Sequence, residues 1–209
     1  MPAPNVQVLM LTGGFMYIPS AFEITDRMQA LDFVSANAFA QLISTVEGRL
    51  FSTHVPFILS EDKRFLLGHL ALQNPQYNDI DGQEVLVSFE GEHGYISPSW
   101  YIDSGVPTWN YQAAHIYGQC KTFRNPERLE HLLCTLSNKY EADFEQPWQV
   151  DVNPRLLNAI VGVEIEISDI QCKYKLSQNR SKEDRFAVIK QLKNQGALGL
   201  AEVMEKNET

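Results

Sequence analysis

Residues 108–123, TWNYQAAHIYGQCKTF, constrain the chain most, because they read as one long alternating run. Trp109, Tyr111, Ala113 and His115 fall on one side of a period-two pattern, which fits an extended strand better than a helix. A second run, VGVEIEISDIQCKYKLS, sets Val161, Val163, Ile165 and Ile167 opposite Glu164 and Glu166, so it reads as a strand with one solvated face. RLFSTHVPFIL and RFLLGHLA flank the turn Ser60-Glu61-Asp62-Lys63 and predict a hairpin of two short strands, with His54 and His69 as cross-strand neighbours. QEVLVSFEG supplies a further strand, and GYISPSWY leads from it into a loop.

Helical signals lie around these strands. DRMQALDFVSAN predicts a first helix over 26–36. Asn125 as cap, Pro126 in the first turn and the stripe Leu129, Leu132, Leu133, Leu136 predict a second. NPRLLNAI repeats the Asn-Pro start, and Ser181 with Asp184 three residues on caps a terminal helix. Strands that follow one another without helical crossovers suit a mainly β fold, an antiparallel barrel with peripheral helices, and do not suit a doubly wound sheet. A length of 209 residues corresponds to one domain. Its expected extent is 16–200, after a weakly ordered extension at 1–15 and before a polar tail at 201–209. Met16 is a candidate alternative start, since the regular pattern begins there.

Charge narrows the function classes. With 17 Lys+Arg and 26 Asp+Glu, the net charge of −9 argues against gripping nucleic acid through an overall field. No helix-turn-helix or basic helix is evident. No run of about 18 apolar residues offers a membrane span. The apolar run near the start lacks a basic region and an A-x-A site. Cys120, Cys134 and Cys172 are widely spaced and read as reduced thiols, so cytoplasm is the expected location. The histidines form no metal-ligand spacing and are structural or pocket-lining, and no catalytic residue stands out.

One segment reverses the charge. KYKLSQNRSKEDR carries Lys173, Lys175, Arg180, Lys182 and Arg185 against Glu183 and Asp184, where a strand end feeds a helix start. Two readings are open: an anion site built from backbone N–H groups and the Arg180 fork, or a solvated strand end with Ser181 as a simple cap. The aromatics Trp100, Tyr101, Trp109, Tyr111 and Tyr117 likewise read as packing, or as a wall against a planar ring or a partner subunit.

In order and spacing, MYIPSAF, THVPF, GHLALQNPQ, GYISPSWY, VPTWNY, HIYG and KLSQNRSKEDR resemble the PaiB-type FMN-binding negative transcriptional regulators, over roughly residues 16–200. The resemblance implies an FMN-binding split β-barrel, antiparallel and Greek-key-like, related to pyridoxamine phosphate oxidases and flavin reductases. It implies a homodimer with flavin sites at the subunit interface, and DNA as a partner by the family label alone. Carried over residue by residue, Ser52, Thr53, His54 and Val55 would flank the flavin, with His69 and Asn74 nearby. Lys175, Ser177, Gln178 and Arg180 would serve its ring edge or phosphate, and Trp109, Asn110 and Tyr111 would contribute from the long strand. The chain departs from the family's HLARxNP pattern at Leu72, which leaves Arg49 or Lys175 to replace the expected arginine. The alternatives are an FMN-dependent oxidoreductase or flavin reductase of the same fold, and a haem-binding split barrel with an axial histidine.

Overall fold

The computed structural model describes residues 16–148 and 153–207. Among these, the strands are β1 (Phe39–Val46), β2 (Arg49–Pro56), β3 (Ile58–Leu59), β4 (Phe65–Ala71), β5 (Glu84–Ile96), β6 (Thr108–Phe123) and β7 (Ile160–Lys175). The helices are α1 (Arg27–Ala36), α2 (Gln76–Ile80), α3 (Pro126–Glu141), α4 (Pro154–Leu157), α5 (Lys182–Asn194) and α6 (Leu198–Lys206). The expected extension at 1–15 lies outside the described residues. No helix among the described residues is long and apolar enough to cross a membrane.

All strand pairs are antiparallel, in the order β2-β1-β5-β6-β7-β4-β3. The two end strands are consecutive in sequence. The chain leaves β1's edge after Pro56, Phe57 N–H still bonds Ala38 O at 2.8 Å, and Ile58–Leu59 then pairs with β4. One bent segment therefore supplies both ends of the sheet and curls it towards closure as a barrel. The architecture is a mainly β, antiparallel split barrel with helices on its periphery.

This closure corrects the expected hairpin. β2 pairs along its whole length with β1, through a two-residue turn at Glu47 (φ 49°) and Gly48 (φ 77°). Two consecutive positive φ values make this a primed turn, whose twist matches that of paired strands. Only β3 joins β4 across Ser60–Lys63. His54 consequently faces Gln41 and His69 faces Gly162, so the two histidines are not cross-strand neighbours.

The long strands follow their alternation. Inward-facing Ala114, Ile116, Val163 and Ile165 are fully buried and join Leu42, Val87 and Phe89 in the core. A Cβ on Gly118 would meet Glu166 O at 2.2 Å, so only glycine allows the close approach of β6 and β7 at this register shift.

Helix caps also form where the side chains allow them. Asp26, Asn125, Asn153 and Ser181 each accept a first-turn N–H. The expected polar tail is largely α6 instead. Leu200, Ala201 and Met204 are buried in the barrel core with Val188, Ile189 and Leu192 of α5. A nine-residue helix is stable here because burying its apolar side outweighs its short length.

Candidate functional site

Antiparallel pairing places directly opposed residues on one face. On the outward side of the barrel this builds a polar row across five strands: His54, Gln41, Ser88, His115 and Gln171. The neighbouring row is Ser52, Ile43, Leu86, Tyr117 and Asp169. Flanking the first row on the same outward face, Glu90 faces Ala113, Ala113 faces Lys173, and Tyr111 lies between His93 and Lys175. Large apolar groups stay open to solvent on this face: Phe39 is 65% exposed and stacks on His54 at 5.7 Å, and Trp109 is 52% exposed beside His93 and Tyr95.

The register shift of β5 between Glu90 and His93 opens a depression of about 360 Å³ in this face, walled by His93, Trp109, Tyr111 and His115. The Nδ1 atom of His115 is buried there without a hydrogen-bond partner. Burial pushes its pKa down, with the Glu90 carboxylate partly opposing the shift. Lys173 is buried at the same edge. It donates to Tyr17 O at 2.8 Å and lies 5.4 Å from the centre of the Tyr111 ring. Met16 N–H donates to Gln171 Oε1 at 2.8 Å, so the segment leading into α1 runs along this edge.

The residues expected at the site divide into groups. Ser52 and His54 lie on the outward face, whereas Thr53 and Val55 alternate inward. Val55 is a core residue with 2% exposure, and Thr53 Oγ1 accepts from Asn74 Nδ2 at 2.9 Å. His69 is separated from both histidines of the outward row, and its buried Nδ1 has no partner. Asn110 points inward as well. Its amide bonds Ser177 Oγ at 2.9 Å and approaches Met204 Sδ at 3.4 Å, all within the interior. Trp109 and Tyr111 remain on the outward face.

The strand end carries the charge reversal. Gln178 Oε1 accepts from Leu176 N at 2.7 Å while Gln178 Nε2 donates to Tyr174 O, which pins the turn and the left-handed Ser177 (φ 69°). Lys175 Nζ bonds Thr108 Oγ1 and Trp109 O, both at 2.5 Å. Burial and the neighbouring Lys173 charge lower its pKa. Arg180 packs 4.2 Å over the Tyr101 ring and donates to Ser104 O at 3.0 Å, with Asp184 3.9 Å away. Together Lys175, Arg180, Ser177, Asn179 and Thr108 line a cavity of about 140 Å³ whose lining includes no carboxylate. It lies at the start of β6 and is lined by the inward-pointing Asn110 as well, and Lys175, the strand partner of Tyr111, links it to the outward face.

These features fit a flavin mononucleotide. The orphaned His115 Nδ1 and the aromatic depression suit a planar ring with polar edges, and the two-cation cavity suits a phosphate. Leu72 packs against the core, so it offers no charge where an arginine was expected. Arg49 is exposed at the start of β2 and lines a separate groove with Asn78 and Asp79.

His54 and His115 are three strand steps apart, about 14 Å at the usual strand spacing. Sequence reasoning omitted His115, Lys173, Gln41 and Ser88 from the site. His115 had a visible signal in its place on the Trp109–Tyr111 face, and Lys173 in the charge-reversing segment, though neither was assigned to the site. Gln41 and Ser88 become neighbours of the site only through pairings between strands.

Known proteins match this chain in sequence and in fold. A relative named protease synthase and sporulation protein PAI 2, from Bacillus subtilis, is 41% identical over 201 residues, covering 91% of this chain and 97% of its own. The FAD and heme binding protein of Mycobacterium smegmatis superposes with a TM-score of 0.62 at 14% identity, over 79% of this chain and 78% of that one. The flavocytochrome Anf3 of Azotobacter vinelandii gives 0.59 at 14% identity, over 79% and 74%. At such identities the solved structures speak for the split-barrel fold. The profile of the family described as "Putative FMN-binding domain" matches residues 16–169, which end before the Lys175–Arg180 cavity. On the extent of that match and the identity to the Bacillus relative, the chain belongs to this FMN-binding domain family.

Proposed function

We propose that this chain is a homodimeric FMN-binding regulator whose flavin lies where the outward faces of two copies meet. The observation that carries the reading is the two-cation cavity at the start of β6, whose Lys175 is the strand partner of Tyr111 in the wall of the aromatic depression. The phosphate enters the cavity between Lys175 and Arg180, and the ring extends along Trp109 and Tyr111 towards His115. Ser52 and His54 lie too far across the face to meet the same ring from the same copy, so they approach from the partner. The exposed Phe39, Tyr95 and Trp109 support burial of this face on dimerisation. When bound, FMN supplies redox and hydride chemistry, and the protein's own groups orient it and exclude water.

Regulation rests on the resemblance to the PaiB-type regulators, and the Bacillus relative's name speaks only of protease synthesis and sporulation. A ligand or redox state that favours one dimer arrangement would act by shifting its population. The net charge of −9 opposes direct DNA binding, so a mobility shift with purified dimer, weakened on reversing the exposed Lys182, is the result that supports it. The oxidoreductase reading draws on one specific observation. His115 lies beside the depression with an unpaired Nδ1, where it can hold or release a proton near a ring edge. NAD(P)H consumption with added FMN, absent from His115→Phe, favours that reading. A Soret band in place of flavin absorbance would instead favour haem.

A fluorescence titration with FMN tests the site. Lys175→Met should weaken FMN binding by roughly tenfold or more, as expected for a lost charge-assisted contact. Unchanged affinity in Lys175→Met and in Arg180→Lys, with normal far-UV circular dichroism, places the phosphate elsewhere.

A further inference from the structure

A depression of about 730 Å³ lies between the β3–β4 hairpin and α3. Phe123, in its floor, is eight residues along β6 from His115, so roughly 26 Å of strand separates it from the near end of the flavin face. The floor is apolar: Phe65 and Leu67 of β4 face Phe123 and Leu132 of α3. The rim carries Glu61, Asp62 and Glu127, with Arg128 and His131 as its basic groups.

The balance of this rim is acidic. Arg128 is committed to Glu164 at 2.7 Å and stacks 4.1 Å over the Phe123 ring, so its charge is spent locally and its plane extends the floor. Asp62 accepts from Ser60 Oγ at 2.6 Å and from Arg64 N–H, which holds its carboxyl below the usual range and keeps it ionised. Glu61 and Glu127 are exposed at the mouth.

The volume falls within the range of about 300–1,000 Å³ typical of small-molecule sites. We propose that this groove is a second ligand site, distinct from the flavin face, for a small amphipathic cation. Its apolar body lies on Phe65, Leu67, Phe123 and Leu132, and its ammonium or amidinium head meets Glu61, Asp62 and Glu127.

Three probes share one apolar body and differ in the head: phenylbutylamine, phenylbutanol and phenylbutyrate. Calorimetric titration of the full chain should show saturable binding of the amine, about tenfold tighter than the butyrate, with the alcohol between them. The doubly substituted Glu61→Lys/Glu127→Lys protein should lose that preference, because both positions are exposed and the fold does not depend on them. Thr135→Trp, which fills the groove from α3, should abolish binding of all three. The proposal is overturned if the amine does not saturate, if the three probes bind alike, or if charge reversal leaves the order unchanged. None of these readouts involves FMN, so the outcome is independent of the flavin reading.

Discussion

His69 and His115 each carry a buried Nδ1 with no hydrogen-bond partner, and burial lowers the pKa of both. The neutral imidazole is therefore favoured in the folded chain, while the unfolded chain takes up protons near the ordinary pKa of about 6.5. Between the lowered folded values and about 6.5 the unfolded state binds more protons, so stability rises with pH through that window and is lost as pH falls through it. Urea unfolding at a series of pH values should show this acid limb, and His69→Phe should flatten it. An identical limb in wild type and variant would contradict this account of His69. The inward Asn110–Ser177 pair makes a second prediction at this scale. Asn110→Leu removes one partner and leaves the Ser177 hydroxyl buried alone, at a cost of about 1–3 kcal/mol in chemical denaturation.

At the scale of elements, α6 is the helix whose removal should matter most. Deleting 198–209 would expose Val188, Leu192 and the end of the barrel now covered by Leu200 and Met204. At about 1.5–3 kcal/mol for each large buried side chain, the truncated chain should lose several kcal/mol and melt well below the full chain. An unchanged melting temperature would mean that α6 packs without contributing to stability.

The sequence hid this helix because its charges mask a short apolar spacing, Leu200, Val203 and Met204. β6, β7 and the capped helices α1, α3 and α5 were legible because alternation and caps are local signals. Partnership between strands was not local. The pairing of β2 with β1 depends on Glu47 adopting a positive φ without an Asn-Gly signature, and barrel closure depends on the bend at Pro56–Phe57. The site was legible to the same degree. Trp109, Tyr111 and Lys175 could be read from the alternation and the local charge. Treating Ser52–Val55 as one group ignored that a strand sends every second side chain to the opposite face.

For the whole molecule, the charge of −9 is unevenly placed. One carboxylate-free cavity with two cations can hold a phosphate, whereas the acidic remainder repels a duplex. Cys120 and Cys172 are buried, with thiol pKa values pushed up to about 12, so they are inert to thiolate chemistry. Reductant should therefore act on neither of these two, and any change of assembly state on reduction, read by sedimentation or on a calibrated column, would come from the half-buried Cys134. A dimer that dissociates on reduction would point to an intermolecular disulfide. The most direct test of the central claim is analytical ultracentrifugation with FMN, monitored at the flavin absorbance. Flavin should sediment with a species of twice the 23.8 kDa chain, one FMN per chain, and Tyr111→Arg, on the shared outward face, should release both flavin and partner. A monomer carrying a full complement of FMN, or a dimer that carries none, would contradict it.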